Sequence, residues 1–245
     1  MSFRPNFNKG LILKQHMLEA LRDYPYDFVS TFFGEMGDGI IVGLKVSVPD
    51  SEHFKVSGGI AKINGEIYFI TKETILNFDY EKNFVYLETS HTPATDGTTI
   101  EAHIVQRKEE NSSQFELFRY IRNATVKEYT DIKEIFTETI NRIDQSFSAK
   151  SIVGGNTLCD EYYTMFAKYI LNCQKASPHD ISFAYQCLNG ICTTEVIKMY
   201  FNTENIANAN LIRYMKDKAL ILEQQTQGKR NIEPQRIPER KMTIS

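Results

Sequence analysis

The sequence predicts an α+β protein: a helical lead, an antiparallel β-rich amino-terminal domain and an α-helical carboxy-terminal domain. Three observations carry this. Apolar side chains occupy every even position from Ile40 to Val48, with Gly43, Lys45 and Ser47 on the odd positions between them, which is the period of a strand with one buried face. Asn64-Gly65 lies between apolar runs, and both residue types accept the positive φ angles of a tight hairpin. From Ile132 onward the apolar spacing widens to the three to five positions expected of helices. With 245 residues, 42% hydrophobic and 24% charged, the chain can bury one large core or two smaller ones. We expect two folded units, residues 1–122 and 123–227, followed by a basic flexible tail over 228–245.

In chain order, Leu13, His16, Met17, Ala20, Leu21 and Tyr24 recur with helical period, and Pro25 interrupts the run. Phe28, Val29, Phe32, Phe33 and Met36 define another apolar stripe, so two helices joined at a proline bend are expected. Gly34, Gly37 and Gly39 end the helical pattern, and Asp38 suits the turn into the first strand. That strand runs from Ile40 to Val48, and a Pro-Asp-Ser break separates it from Phe54 and Val56, which continue the alternation up to the hairpin at Ile63–Glu66. Phe84 to Glu88, Ile100 to Arg107 and Phe115 to Ile121 are rich in β-branched and aromatic residues and read as further strands.

The period then changes. Ile132, Ile135, Phe136, Ile140 and Ile143 predict a helix, with Thr130 or Asp131 able to accept from its first free amides. Leu158, Tyr162, Met165, Phe166, Tyr169 and Ile170 predict the next. Ile181, Ala184, Tyr185 and Leu188 follow, with Ser177 as cap, Pro178 at the first helical position and Gly190 as terminator. A short helix on Val196, Ile197, Tyr200 and Phe201 precedes a longer one on Ala207, Leu211, Tyr214, Met215, Lys218 and Leu222. Beyond it, prolines, charges and few apolar residues predict an unpacked arm.

The formal charge of -3 is unevenly spread: residues 228–245 carry a net +3, leaving -6 for the body, which disfavours nucleic acid as a partner. No apolar run approaches the roughly 20 residues that cross a bilayer, and the start lacks the apolar core of a signal peptide, so membrane insertion is not expected and synthesis in the cytoplasm is. Cys159, Cys173, Cys187 and Cys192 lack the close spacing of a zinc site and are expected as buried free thiols.

Catalytic patterns are missing. There is no GxxxxGK[ST] loop, HExxH or GxSxG elbow, and Gly34–Gly39 precedes a strand where a phosphate cradle needs a helix amino terminus. His16, His53, His91, His103 and His179 are dispersed without ligand spacing. A Cys187–His179 nucleophile is disfavoured, because Cys187 lies among apolar residues that suppress the thiolate. The acid pairs Asp160-Glu161, Glu109-Glu110 and Asp79 with Glu81 read as solvated surface charge. No catalytic residue, cofactor or metal is expected. Phe118 and Tyr120 alternate with Phe115 and Leu117, so that strand has apolar side chains on both faces and is covered either by core or by a partner. The candidate partner-binding residues are therefore Phe118 and Tyr120, together with Lys229, Arg230, Arg236, Arg240 and Lys241 of the tail, which can order against an acidic neighbour.

Helices over Lys9 to Met36, then Gly39, Ile40, Ile41, Gly43, Leu44 and Val46, then Val56, Gly59, Ile60, Ala61 and Gly65, form a pattern over about the first third of the chain, and Asn64 belongs to the same fold signature through its hairpin. This stretch resembles the amino-terminal module of baseplate and tail-fibre attachment proteins of bacteriophages and of phage-tail-like particles such as R-type bacteriocins. The resemblance implies a structural adaptor in a tail, of contractile type, that binds other tail or baseplate proteins, forms a homo-oligomer within a symmetric assembly and ends in a virion or extracellular particle. It implies no active site. Two alternatives remain open: a receptor-binding protein of the same particle, and a cell-wall hydrolase.

Overall fold

The computed structural model describes residues 12, 14–79, 83–94, 97–121, 126–137, 141–190 and 192–227. It is an α+β protein, with most strands in the first half and most helices in the second. The lead is one helix, α1 (Gln15–Phe32), which runs through Pro25, where a proline bend between two helices was expected. A proline removes one backbone donor, and the remaining turns hold the helix across that gap.

Five short strands follow: β1 (Gly39–Gly43), β2 (Val46–Ser47), β3 (His53–Val56), β4 (Gly59–Ile63) and β5 (Glu66–Ile70). The expected strand from Ile40 to Val48 is therefore broken. Gly43 and Leu44 have φ of 73° and 53°, left-handed values that turn the chain, and the Leu44 amide donates to the Gly58 carbonyl at 3.2 Å. A side chain on Gly43 would put its Cβ 2.2 Å from that carbonyl oxygen, so glycine is required for the backbones to approach. The hairpin at Ile63–Glu66 forms as expected, with Asn64 and Gly65 at φ 52° and 79°. The carboxylate of Asp38 accepts from both turn amides at 2.9 Å.

Strand β6 (Thr74–Asn77) pairs with β3 to complete a small sheet ordered β2-β3-β6. The long strands β7 (Phe84–Ala94) and β8 (Gly97–Arg107) and the shorter β9 (Phe115–Arg119) form another, ordered β8-β7-β9. In the second half, α2 covers only Ile132–Phe136, capped by Asp131, whose side chain accepts from the Lys133 amide. The expected continuation to Ile143 does not occur: Ile143 is buried in the β-rich core, and Ile140 lies outside the described residues.

The stretch 123–227, expected as helices alone, also contains a hairpin, β10 (Ala149–Ile152) and β11 (Gly155–Leu158). Strand β10 pairs parallel with β1, Ile40 opposite Lys150, so the largest sheet has the order β11-β10-β1-β4-β5. The remaining helices are α3 (Asp160–Leu171), α4 (Pro178–Leu188), α5 (Thr194–Phe201) and α6 (Asn208–Gln227). Ser177, Pro178 and Asp180 start α4 with a reciprocal capping box, as the sequence pattern implied for Ser177 and Pro178.

Two apolar cores result. One joins Ile40, Phe54, Tyr68, Val85, Phe118 and Tyr120 among the sheets. The other gathers Tyr162, Phe166, Phe183, Ile197, Leu211 and Met215 from the helices, and Ile152 and Leu158 of the hairpin belong to it. The hairpin thus links both cores: its backbone extends the β1 sheet while its apolar side chains pack on helices.

Candidate interaction surface

The β1-β4-β5 part of the large sheet is apolar on both faces. Ile40, Ala61 and Tyr68 lie opposite one another across the three strands, and all are buried in the core. The neighbouring row, Val42, Ile60 and Phe69, points to the other face. There Val42 is 54% exposed and Phe69 55% exposed. A sheet normally sets polar residues on its solvated face, so an uncovered apolar row marks a surface for something else to cover.

Lys62 stands two residues beyond Ile60 on β4 and so shares its face. Its ammonium donates to the carbonyls of Phe33, Gly34 and Met36 at 3.1, 3.3 and 2.7 Å. The carboxy-terminal end of a helix carries unpaired carbonyls and partial negative charge, and a cation placed there both satisfies and neutralises it. Lys62 therefore ties the end of α1 to the face that bears the exposed row.

Along α1 only Met17 is buried. Leu18 is 52% exposed, Phe28 56% and Phe32 66%, with Leu21 and Tyr24 exposed as well. Phe28 and Phe32 stack on each other with centroids 5.7 Å apart. Leu18, Leu21, Phe28 and Phe32 fall at spacings that keep them on one side of the helix. The helix thus presents an apolar stripe that nothing in this chain covers among the described residues.

The residues singled out from sequence fall into three groups. Gly39, Ile40, Gly43, Leu44, Val46, Gly59, Ile60, Asn64 and Gly65 lie together in β1, β2, β4 and the connecting turns, where they build the module and, through Ile60, part of its outer face. Phe118 and Tyr120, expected to face either core or a partner, face the core: both rings are buried, Phe118 edge-on to Phe54 and Tyr120 edge-on to Phe78. The Tyr120 hydroxyl accepts from the Asp79 amide, which explains why a tyrosine is tolerated in that core. Lys229, Arg230, Arg236, Arg240 and Lys241 lie outside the described residues. Lys62 and the α1 stripe were missed as a surface, although the stripe's period was visible.

Several charged groups elsewhere are paired with one another. A cavity of about 920 Å³ between sheet and helices is lined by Phe84, Arg119, Arg142, Asp144, Phe147 and Tyr162. Within it Arg119 pairs with Glu116 and Glu110 and lies 3.5 Å from the Phe147 ring centroid, and those carboxylates hold its guanidinium protonated. Arg142 pairs with Glu134, and Tyr162 donates to Asp144 at 3.1 Å. A second cavity of about 920 Å³ is lined by Lys133, Lys168, Tyr169 and Glu223, of which Lys133 and Glu223 form an ion pair. Cys187 contacts Cys192, with the sulfurs 3.5 Å apart, while His179 packs on Tyr200. Among the described residues no three His, Cys, Asp or Glu side chains gather as a metal would require, and no helix is long and apolar enough to cross a membrane.

No family model and no curated protein matches the chain. Solved structures to which it is similar include one described as the crystal structure of TssK, at 8% identity and TM-score 0.32, covering 92% of this chain and 69% of that one. Another is described as the baseplate complex from the type VI secretion system, at 10% identity and TM-score 0.25, covering 96% of this chain and 92% of that one. Scores at this level do not establish a shared fold.

Proposed function

We propose that this chain is a structural component of a contractile-type tail baseplate, an adaptor that joins tail parts by covering its own exposed apolar surfaces with neighbouring proteins. The observation that carries the reading is the outward apolar face of the module, the row Val42, Ile60 and Phe69 beside the helix α1, to which Lys62 locks it. Exposed aromatic and aliphatic side chains on rigid elements lose little conformational entropy on docking, which suits permanent assembly. The resemblance of the surrounding stretch, Gly39 to Gly65, to tail attachment modules supports the assignment to a particle. In this reading the partners are other baseplate proteins and further copies of the chain, the destination is a virion or extracellular tail-like particle, and the chain does no catalysis.

The test is copurification. An affinity-tagged chain expressed in its native cell should bring down tail proteins in fixed ratio, and the pair Val42→Glu with Phe28→Glu should abolish recovery while leaving the far-ultraviolet circular dichroism unchanged. Recovery of a monomer with no tail protein would refute the reading, and binding of the isolated chain to host cells would redirect it to receptor recognition.

A further inference from the structure

We propose that Cys187 and Cys192 form a redox-active dithiol that closes to an intramolecular disulfide when hydrogen peroxide reaches it. This goes beyond the assembly reading and does not depend on it. Cys187 lies in the last turn of α4, and Cys192 directly precedes Thr193, the residue that caps α5. Their sulfurs are 3.5 Å apart, against about 2.0 Å in a disulfide, and the two residues are five positions apart in the chain. Both thiols are free. A cavity of about 270 Å³, lined by both cysteines together with Lys150, Asp160, Tyr163 and Thr193, admits a molecule of peroxide size. Cys159 is not among the residues that line this cavity, and burial pushes its thiol well up.

The two sulfurs divide the roles. Cys187 is buried and Cys192 only partly so, which leaves Cys192 the more accessible sulfur; their contact lowers the Cys192 thiol from its ordinary value, while the same contact and burial push Cys187 up. Cys192 as thiolate attacks one peroxide oxygen, the O–O bond breaks, and the departing hydroxide takes a proton to leave as water, giving a sulfenic acid at Cys192. The Cys187 sulfur then attacks the Cys192 sulfur. The S–S bond forms, the S–O bond breaks, and the hydroxide leaves as a second water with the proton from Cys187. Two thiols lose two electrons in total, and one peroxide is reduced to two waters.

The consequence is mechanical. Thr193 and Thr194 begin α5, and the Thr194 hydroxyl donates to the Val153 carbonyl in the β10–β11 turn at 3.4 Å. The disulfide would fasten the end of α4 to this corner, where the helical core meets the β1 sheet. In a reducing cytosol the pair stays open, and it closes where peroxide prevails.

The test uses the full chain, reduced, desalted and exposed to hydrogen peroxide, then blocked with an alkylating agent and analysed by intact mass and peptide mapping. The expected result is a loss of about 2 Da, a peptide linking Cys187 to Cys192, and full reversal by dithiothreitol. In Cys187→Ser the same treatment should leave a sulfenic acid at Cys192 that a cyclic diketone traps. Amide exchange over residues 192–197 should slow in the oxidised wild type. A link through Cys159 or Cys173, a link between two chains, or all four thiols still alkylated after peroxide would overturn the proposal.

Discussion

Replacing Asp180 with Asn tests the best-defined polar interaction in the molecule. Asp180 is 1% exposed, and its carboxylate accepts from the Ser177 amide and hydroxyl at 2.9 and 2.7 Å, from the Tyr200 hydroxyl at 2.9 Å and from the Lys218 ammonium at 2.7 Å. Burial alone would raise its pKa, but donation from Lys218, Ser177 and Tyr200 outweighs burial and holds the group at about 2, against 3.8 unperturbed. That difference corresponds to about 2.5 kcal/mol of stability at neutral pH. A depressed carboxylate pKa contributes fully above the unfolded value and loses its contribution as pH falls through the folded one. The Asp180 contribution should therefore be complete above about pH 5 and vanish between about pH 4 and pH 2. Asp180→Asn keeps an acceptor for the α4 cap but removes the charge facing Lys218, and should lower the melting temperature at pH 7 by about 5–10 °C. Urea titrations of wild type and variant at pH 7, 5, 3 and 2 measure the gap directly. Curves equally far apart at pH 7 and pH 2, or already coincident at pH 7, would refute the assignment of this stability to an ionised, paired Asp180.

Lys62→Met keeps the aliphatic stem and removes the donor to three carbonyls, so it should cost about 1–3 kcal/mol and speed amide exchange at the end of α1 before any change in the helical core, as read by mass spectrometry. Gly65→Val should destabilise by about 2 kcal/mol, because φ is 79° there while a Cβ would meet no atom within 4 Å, making the cost one of backbone conformation. Gly65→Asn should cost clearly less, and equal losses for both variants in chemical denaturation would exclude that cause. Gly43→Ala combines a positive φ with a Cβ 2.2 Å from the Gly58 oxygen and should leave little folded protein in a solubility and circular dichroism test.

Local devices were legible. Asn64-Gly65 and Ser177-Pro178 encode their turn and cap in side chains only a residue or three apart, and both form as read. Features set by distant partners were not. The alternation from Ile40 to Val48 carries no sign that Gly43 and Leu44 turn the chain, since that turn depends on the Gly58 carbonyl reaching Leu44. Strand β10 is short and polar, and its parallel pairing with β1 joins residues 110 positions apart. Burial behaved the same way: periodicity tells which side chains share a face, not whether anything covers it. Phe118 and Tyr120, apolar on both sides of a strand, proved to be core, whereas Leu21, Phe28 and Phe32, read as ordinary helix stripes, are left uncovered.

Imaging the assembled particle with this chain located inside it measures the central claim most directly. Side chains Leu18, Phe28, Phe32, Val42 and Phe69 should be found against neighbouring subunits, across contacts burying more than about 1,200 Å². A chain absent from every tail particle, or one seated in it with this apolar face still open to water, would contradict the claim.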